Sequence, residues 1–130
     1  MRLLDLDPKW VNYAEGGGIW ERGDVHSHVA YHPDSEGDVD APASTTDFAS
    51  ADGVMFLCPA CFVKNGGAVG TEEVCIWFAG RSNVPADAVP GPGRWTASGT
   101  SFDDLTLTPS VNVDHEHWHG FLRAGEVTHA

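Results

Sequence analysis

The sequence has few basic residues. It contains 7 Lys and Arg against 19 Asp and Glu, a formal net charge of -12, and no Lys or Arg occurs between Gly23 and Val63. Proteins bind a phosphate backbone or an anionic membrane surface through clustered positive charge. The composition therefore predicts no nucleic-acid partner and no membrane partner. A strongly acidic surface instead keeps a protein soluble and suits a partner with a basic surface.

Long apolar runs and an export signal are also lacking. No run approaches the roughly 20 residues that a helix needs to cross a bilayer. In the opening MRLLDLDPKWV, Asp5 and Asp7 interrupt the apolar stretch that a signal peptide requires. The chain has three cysteines, an odd number that does not suit a disulfide framework. These features predict a protein of a reducing compartment that is not secreted.

Established catalytic motifs do not occur. The sequence has no G-x-S-x-G, no P-loop, no G-x-G-x-x-G after a strand and no H-E-x-x-H. The acidic run from Asp34 to Asp40 does not match a calcium-binding EF-hand loop, because Gly37 is misplaced and the twelfth position is Thr45. The absence of these motifs favours a non-enzymatic protein.

The composition and the hydrophobic pattern predict a mainly β fold. Fifteen Gly and eight Pro favour turns and short strands, and no helical periodicity lasts beyond about two turns. A chain of 130 residues suits a single domain. We predict a small domain of short antiparallel strands with a zinc knuckle and long loops. Within residues 1–130 it divides into an N-terminal segment (1–32), an acidic loop or arm (33–52) and a zinc-stapled β core (53–130).

Six segments have the pattern of strands. Alternating or continuous apolar residues mark 25–31, 54–57, 74–78, 94–96, 105–113 and 115–122. The segment 74–78, VCIWF, is apolar on both sides and is therefore predicted to be central. Pro109 cannot donate to a ladder, which predicts a sheet edge or a bulge there. A turn at Ala124-Gly125 is predicted to return the chain as a closing strand over 126–128.

Cysteine and histidine spacings predict a structural zinc site. In Cys58-Pro59-Ala60-Cys61, two thiolates on a tight turn can bind one ion at about 2.3 Å each. His115, His117 and His119 are spaced by two, so a strand would direct all three to one face. The predicted Cys2His2 set is Cys58, Cys61, His117 and His119, with His115 the less favoured histidine. Such a site would join the first core strand to the last.

Three alternatives to zinc remain open at this point. The CPAC sequence also resembles the active-site turn of thioredoxin-like proteins, but residues 65–67, NGG, are predicted to end any helix after about one turn. The cysteines would otherwise be buried small residues, which is the interpretation for Cys75. The His115, His117 and His119 row would otherwise be a solvated or pH-sensitive strand face.

A second histidine cluster lies earlier in the chain. His26, His28 and His32 would share one face of a strand, with Asp24 close by. Catalytic zinc keeps three protein ligands and one open position, so this cluster is a candidate second metal site. Exposed polar residues on a half-buried strand are the favoured interpretation.

The C-terminal part of the chain resembles a known family. CPACF begins at residue 58, GRW at 93, DDLTLTPSV at 103 and HWHGF at 117. In this order and spacing, over about residues 53–127, the motifs resemble a family of small proteins encoded largely by bacteriophages and prophages. The activity of that family is uncharacterised, and the motifs do not support the ammonia monooxygenase label that some members carry. The opening MRLLDLDPKWV is also similar to the start of the family.

The resemblance implies a phage origin and no activity. It places Cys58, Cys61, His117 and His119 on motif positions, which supports zinc, and it leaves residues 24–52 outside the motifs. The leading hypothesis is a non-enzymatic virion accessory or decoration component that binds phage structural proteins, located in the virion or the host cytoplasm and homo-oligomeric within an assembly. The alternatives are a small metal-dependent enzyme or host-takeover factor, and a zinc-ribbon-like adaptor for a host protein.

Overall fold

The structure is a computed structural model that describes residues 1–13, 20–22, 29–31, 43–45, 47–86, 88, 93–113 and 118–130. In chain order the elements are a 3₁₀ helix at Leu3–Leu6, β1 at Lys9–Asn12, β2 at Trp20–Arg22, β3 at Val29–Tyr31, β4 at Ala43–Thr45, β5 at Gly53–Leu57, α1 at Pro59–Asn65, β6 at Glu73–Trp77, β7 at Thr96–Ser98, β8 at Thr106–Val113, β9 at Trp118–Arg123 and β10 at Glu126–His129. The strands form two antiparallel sheets, ordered β2-β3-β6-β5-β1-β4 and β10-β9-β8-β7. The prediction of a mainly β domain of short antiparallel strands is confirmed.

Strands β5 and β6 lie at the centre of the larger sheet. They pair antiparallel with Val54 opposite Ile76, and every residue of β5 is buried. Alternate side chains enter two different apolar clusters, so Val54 and Ile76 face one core while Met55 and Cys75 face another. Both faces of this sheet are therefore covered, which explains why residues 74–78 lack polar alternation and confirms their central position.

The main core lies between the two sheets. The smaller sheet contributes a set of buried side chains to it, namely Leu105, Leu107, Val111, Trp118, Leu122 and Val127. Trp118 meets Phe56 of the larger sheet edge to face, with ring centroids 6.1 Å apart. The apolar alternation predicted for residues 105–113 is confirmed at Leu105, Leu107 and Val111, which belong to the main core, while the side chain of Val113 lies outside the described ones.

A bulge interrupts β8 at Pro109. From Leu107 to Val111 the strand advances four residues, while its partner β9 advances only two, from Leu122 to Gly120. The sheet order places β8 between β7 and β9, so the proline does not lie on an edge strand. Of the two predicted settings for Pro109, the bulge is the one observed, since residues in a bulge leave the ladder unpaired.

The core extends beyond the predicted limits of residues 53–130. Leu3 and Leu6 are fully buried in the main cluster, and Trp10 stacks on Phe102 with ring centroids 4.1 Å apart. Strand β1 pairs with both β4 and β5. Residues 1–13 therefore belong to the β core, which the sequence pattern had assigned to residues 53–130.

Other predicted segments are found in part. The C-terminal hairpin turns at Ala124 and Gly125, whose φ angles are 48° and 77°, and returns as β10 as predicted. Of the predicted 25–31 strand the structure describes β3, and of the 33–52 arm it describes β4 and residues 47–52. Within the described part of the chain, no helix is long and apolar enough to cross a membrane.

Candidate metal centre

The cysteine pair lies where β5 passes into α1. Cys58 is the residue before the helix, and Pro59 occupies the first helical position, where its missing N–H and fixed φ are favourable. The helix ends at Gly66, whose φ of 71° is left-handed and whose N–H donates to the Val63 carbonyl at 3.2 Å. The helix therefore lasts about two turns rather than the predicted one, and the glycine ends it as predicted.

The two sulfur atoms face each other, and backbone donors point at one of them. Cys58 is fully buried and Cys61 is partly exposed. The pKa of the Cys58 thiol is raised to about 12, mainly by burial and to a smaller extent by the nearby Cys61 thiol. Backbone N–H groups of Cys61 and Ala60 donate toward the Cys58 sulfur and lower the pKa, but burial prevails. A cation bound between the sulfurs would reverse that balance, because zinc binds the thiolate form.

The first cysteine of the pair is the more buried of the two, which is unlike a reactive dithiol. A nucleophilic cysteine needs an accessible sulfur that ionises readily. Here the first cysteine, Cys58, is the buried one and has a raised pKa. The arrangement therefore favours a structural ligand over the thioredoxin-like alternative.

Of the predicted histidine ligands, the structure describes His119. His119 is exposed on β9, between the buried residues Trp118 and Gly120, and its Nε2 atom lies 3.2 Å from the Ser110 hydroxyl. It therefore faces away from the core cluster that contains Cys58. In the described ranges, no three His, Cys, Asp or Glu side chains gather as a metal-binding group. The structure brings the two cysteines together and does not bring His119 to them.

The remaining candidate histidines lie outside the described residues. These are His26, His28, His32, His115 and His117. The last two belong to the connection between Val113 and Trp118, which are directly paired across β8 and β9. Trp118 packs on Phe56, two residues before Cys58, and α1 lies against β9. Trp118, which follows this connection, thus lies near the strand that leads to the cysteine pair, and His117 is covalently next to Trp118.

Sequence reasoning overlooked the role of Trp118 and Gly120. In HWHGFL, the residues Trp118, Gly120 and Leu122 are buried and alternate with the histidine positions. The apolar alternation was a readable signal that this set, rather than His119, faces the core.

Cys75 lies apart from the pair, as predicted. It is buried in β6, in the second apolar cluster, with Met55, Trp77 and Val11 around it. None of the three cysteines forms a disulfide. Burial raises the pKa of the Cys75 thiol, the acidic neighbour Glu73 adds to this, and Arg94 opposes it.

The buried Cys75 thiol predicts a loss of stability at alkaline pH. Its folded pKa lies above the ordinary value of 9.0, so the stabilisation is complete below pH 9 and is lost as pH rises toward the folded pKa. Urea unfolding between pH 8 and pH 10.5 should show this decrease. Cys75→Ala should reduce the decrease, whereas an equal slope in both proteins would contradict it.

Comparisons of the chain with protein-family models, with curated proteins and with solved structures found no match. The function is therefore argued from the residues and their geometry.

Proposed function

We propose that this chain is a non-enzymatic accessory component of a bacteriophage particle, a zinc-stabilised β domain that attaches to other structural proteins. Cys58 is completely buried at the junction of β5 and α1, and this observation supports a structural role for the metal. A catalytic zinc keeps an open coordination position that a substrate can reach. A metal held by a buried sulfur instead connects parts of the core.

In this proposal Cys58 and Cys61 hold the ion, and two histidines of the 115–119 row complete it. His117 and His115 are favoured, because His119 lies against Ser110 on the outer face of its sheet. When bound, zinc would supply a cross-link between the β5–α1 turn and the β8–β9 connection. A domain of 130 residues has a single modest core, so a link of this kind adds substantially to its stability.

The charge distribution supports attachment to another protein. Arg2 and Lys9 form ion pairs with carboxylates of the chain, while Arg81 and Arg123 lie over aromatic rings. Six carboxylates of the described residues are exposed, and three of them have no cation partner among the ion pairs found, namely Asp5, Asp47 and Asp104, beside the paired Asp7, Asp103 and Glu126. A surface of this kind suits a partner with a basic face. The resemblance to phage-encoded proteins supports a partner within the particle.

The protein composition of purified phage particles tests this proposal. Density-gradient-purified virions of a phage that encodes this chain should contain it in stoichiometric amount relative to the major structural proteins, measured by quantitative mass spectrometry. A phage carrying Cys58→Ser should yield particles that lack the chain, whereas Cys75→Ser particles should retain it. Cys75 is the matched control, because it is equally buried but remote from the metal centre.

Recovery of the chain only from the cytosol of infected cells would contradict the virion assignment. If a single host protein accompanied it there, the adaptor alternative would replace the proposal. Retention of Cys58→Ser on particles at the wild-type level would instead contradict the structural role of the metal.

A further inference from the structure

Residues 1–6, here called the arm, lie along the outer edge of β10. The Val127 N–H donates to the Met1 carbonyl at 2.7 Å, and the Leu3 N–H donates to the Gly125 carbonyl at 2.8 Å. The arm thus adds a short antiparallel segment to the edge of the smaller sheet. Among the described residues, the backbone hydrogen bonds that join the arm to other elements run to this edge.

Side chains fasten the arm to the same region. Arg2 lies opposite Glu126, and its guanidinium is 3.3 Å from the carboxylates of both Glu126 and Asp103. Leu3 and Leu6 are fully buried in the main core. These contacts are specific to the arm, and an identical arm from a second copy of the chain can make all of them.

The two-residue link between the arm and β1 is strained. Asp7 has φ 49° and ψ 55°, the left-handed conformation that is unfavourable for a residue with a Cβ atom, although Asp adopts it more readily than most. Asp7 also precedes Pro8, and a residue before proline favours an extended backbone. Both effects oppose the observed conformation of Asp7. An extended Asp7 relieves the strain and directs the arm away from its own β10.

Exposed apolar side chains are concentrated on the arm. Among the described residues four large hydrophobic side chains are exposed, and two of them, Met1 at 40% and Leu4 at 49%, belong to the arm. Where two chains cross beside their 7–8 links, a new contact between the chains would cover part of the apolar surface around Leu4, three residues before Asp7. Burial of this apolar surface lowers the free energy of the exchanged form, and the closed single chain lacks this contribution.

We propose that two copies of this chain exchange their arms, with the arm of each copy lying on β10 of the other. Exchange preserves every contact of the arm and releases the strain at Asp7, and short strained links are known to favour it. The inference concerns how copies associate and goes beyond the proposed function. It does not depend on the metal or on the particle.

A disulfide assay tests the exchange directly. Arg2 and Glu126 are opposite residues flanked by the hydrogen bonds of their neighbours, the pairing type in which Cα atoms approach most closely. Arg2→Cys and Glu126→Cys proteins are mixed at high concentration, incubated and oxidised. A disulfide between residues 2 and 126, identified by peptide mapping, then joins two different chains and is expected in the mixture.

Three controls make the result decisive. Each single variant alone gives the background of accidental cross-links. The Arg2→Cys/Glu126→Cys double variant shows that cysteines at these two positions can form a disulfide. If the double variant closes within one chain and the mixture gives no disulfide above background, the proposal is overturned.

Variants of the link provide an independent measurement. Asp7→Gly tolerates the left-handed conformation and should lower the cross-linked fraction about tenfold, whereas Asp7→Val should raise it by a similar factor. Both variants lose the same exposed contact with Lys9, so that contact does not explain a difference between them. Equal cross-linking in the two variants would show that the strain at Asp7 does not control exchange, and would overturn the proposal in this form.

Discussion

Removal of the metal is expected to unfold the chain. The purified protein should contain one equivalent of zinc, and a strong chelator should abolish the near-ultraviolet circular dichroism signal of its buried tryptophans. Zinc binds small structural modules with about 10–16 kcal/mol, which is as large as the roughly 5–15 kcal/mol that stabilises a whole domain. Cys58→Ser and Cys61→Ser should therefore give insoluble or unfolded protein without zinc.

Three variants separate metal loss from ordinary damage. Cys75→Ser should cost only about 1–3 kcal/mol, the price of a polar atom in an apolar cluster, and should keep its zinc. His117→Ala should lose the metal, whereas His119→Ala, next to Ser110, should retain most of it. A well-folded wild-type protein with no bound metal would refute the zinc proposal.

Gly120→Ala is expected to destabilise the fold by about 3 kcal/mol or more, and to lower the melting temperature by about 10 °C. Gly120 is buried in β9, and an added Cβ would overlap the backbone carbonyl oxygen of Thr128. It would also lie 2.6 Å from the indole nitrogen of Trp118. The two strands and the indole cannot all be kept in place, so part of the main core must shift. Thermal unfolding followed by circular dichroism measures the effect.

Gly80→Ala is the matched control for this substitution. Gly80 is exposed, with φ 79°, and an added Cβ there meets no atom within 4 Å. It should cost only the backbone penalty of a left-handed alanine, about 1 kcal/mol. Equal losses of stability in the two variants would show that crowding at Gly120 is not the cause.

The parts of the fold that the sequence predicted are those controlled by local pattern. Residues 54–57 and 74–78 are continuous apolar runs, and the turn at Ala124 and Gly125 follows from local turn chemistry. The position of residues 1–13 was not predictable in this way. Lys9 pairs with Met55 and Arg2 with Glu126, and such distant partners leave no periodic signal in the chain.

The candidate site was also predictable only in part. Two cysteines separated by two residues meet on one turn whatever surrounds them, so Cys58 and Cys61 were correctly placed together. The direction of His119 depends on which face of β9 packs on the core. Trp118 takes that face because its large apolar side chain is stabilised most by burial, and the next residue along the strand must then point outward.

The pairing of Arg2 with Glu126 also has a consequence for the time course of folding. Contacts between residues so far apart in sequence form slowly, because a long loop must close before any of them is gained. During synthesis the arm leaves the ribosome well before its binding edge on β10, because Arg2 and Glu126 are 124 residues apart in sequence. Leu3 and Leu6 then remain exposed until that edge is made, which at about 5–20 residues per second takes several seconds or more. In that interval the nascent chain presents two leucines that a chaperone, or a finished copy of the same protein, can bind.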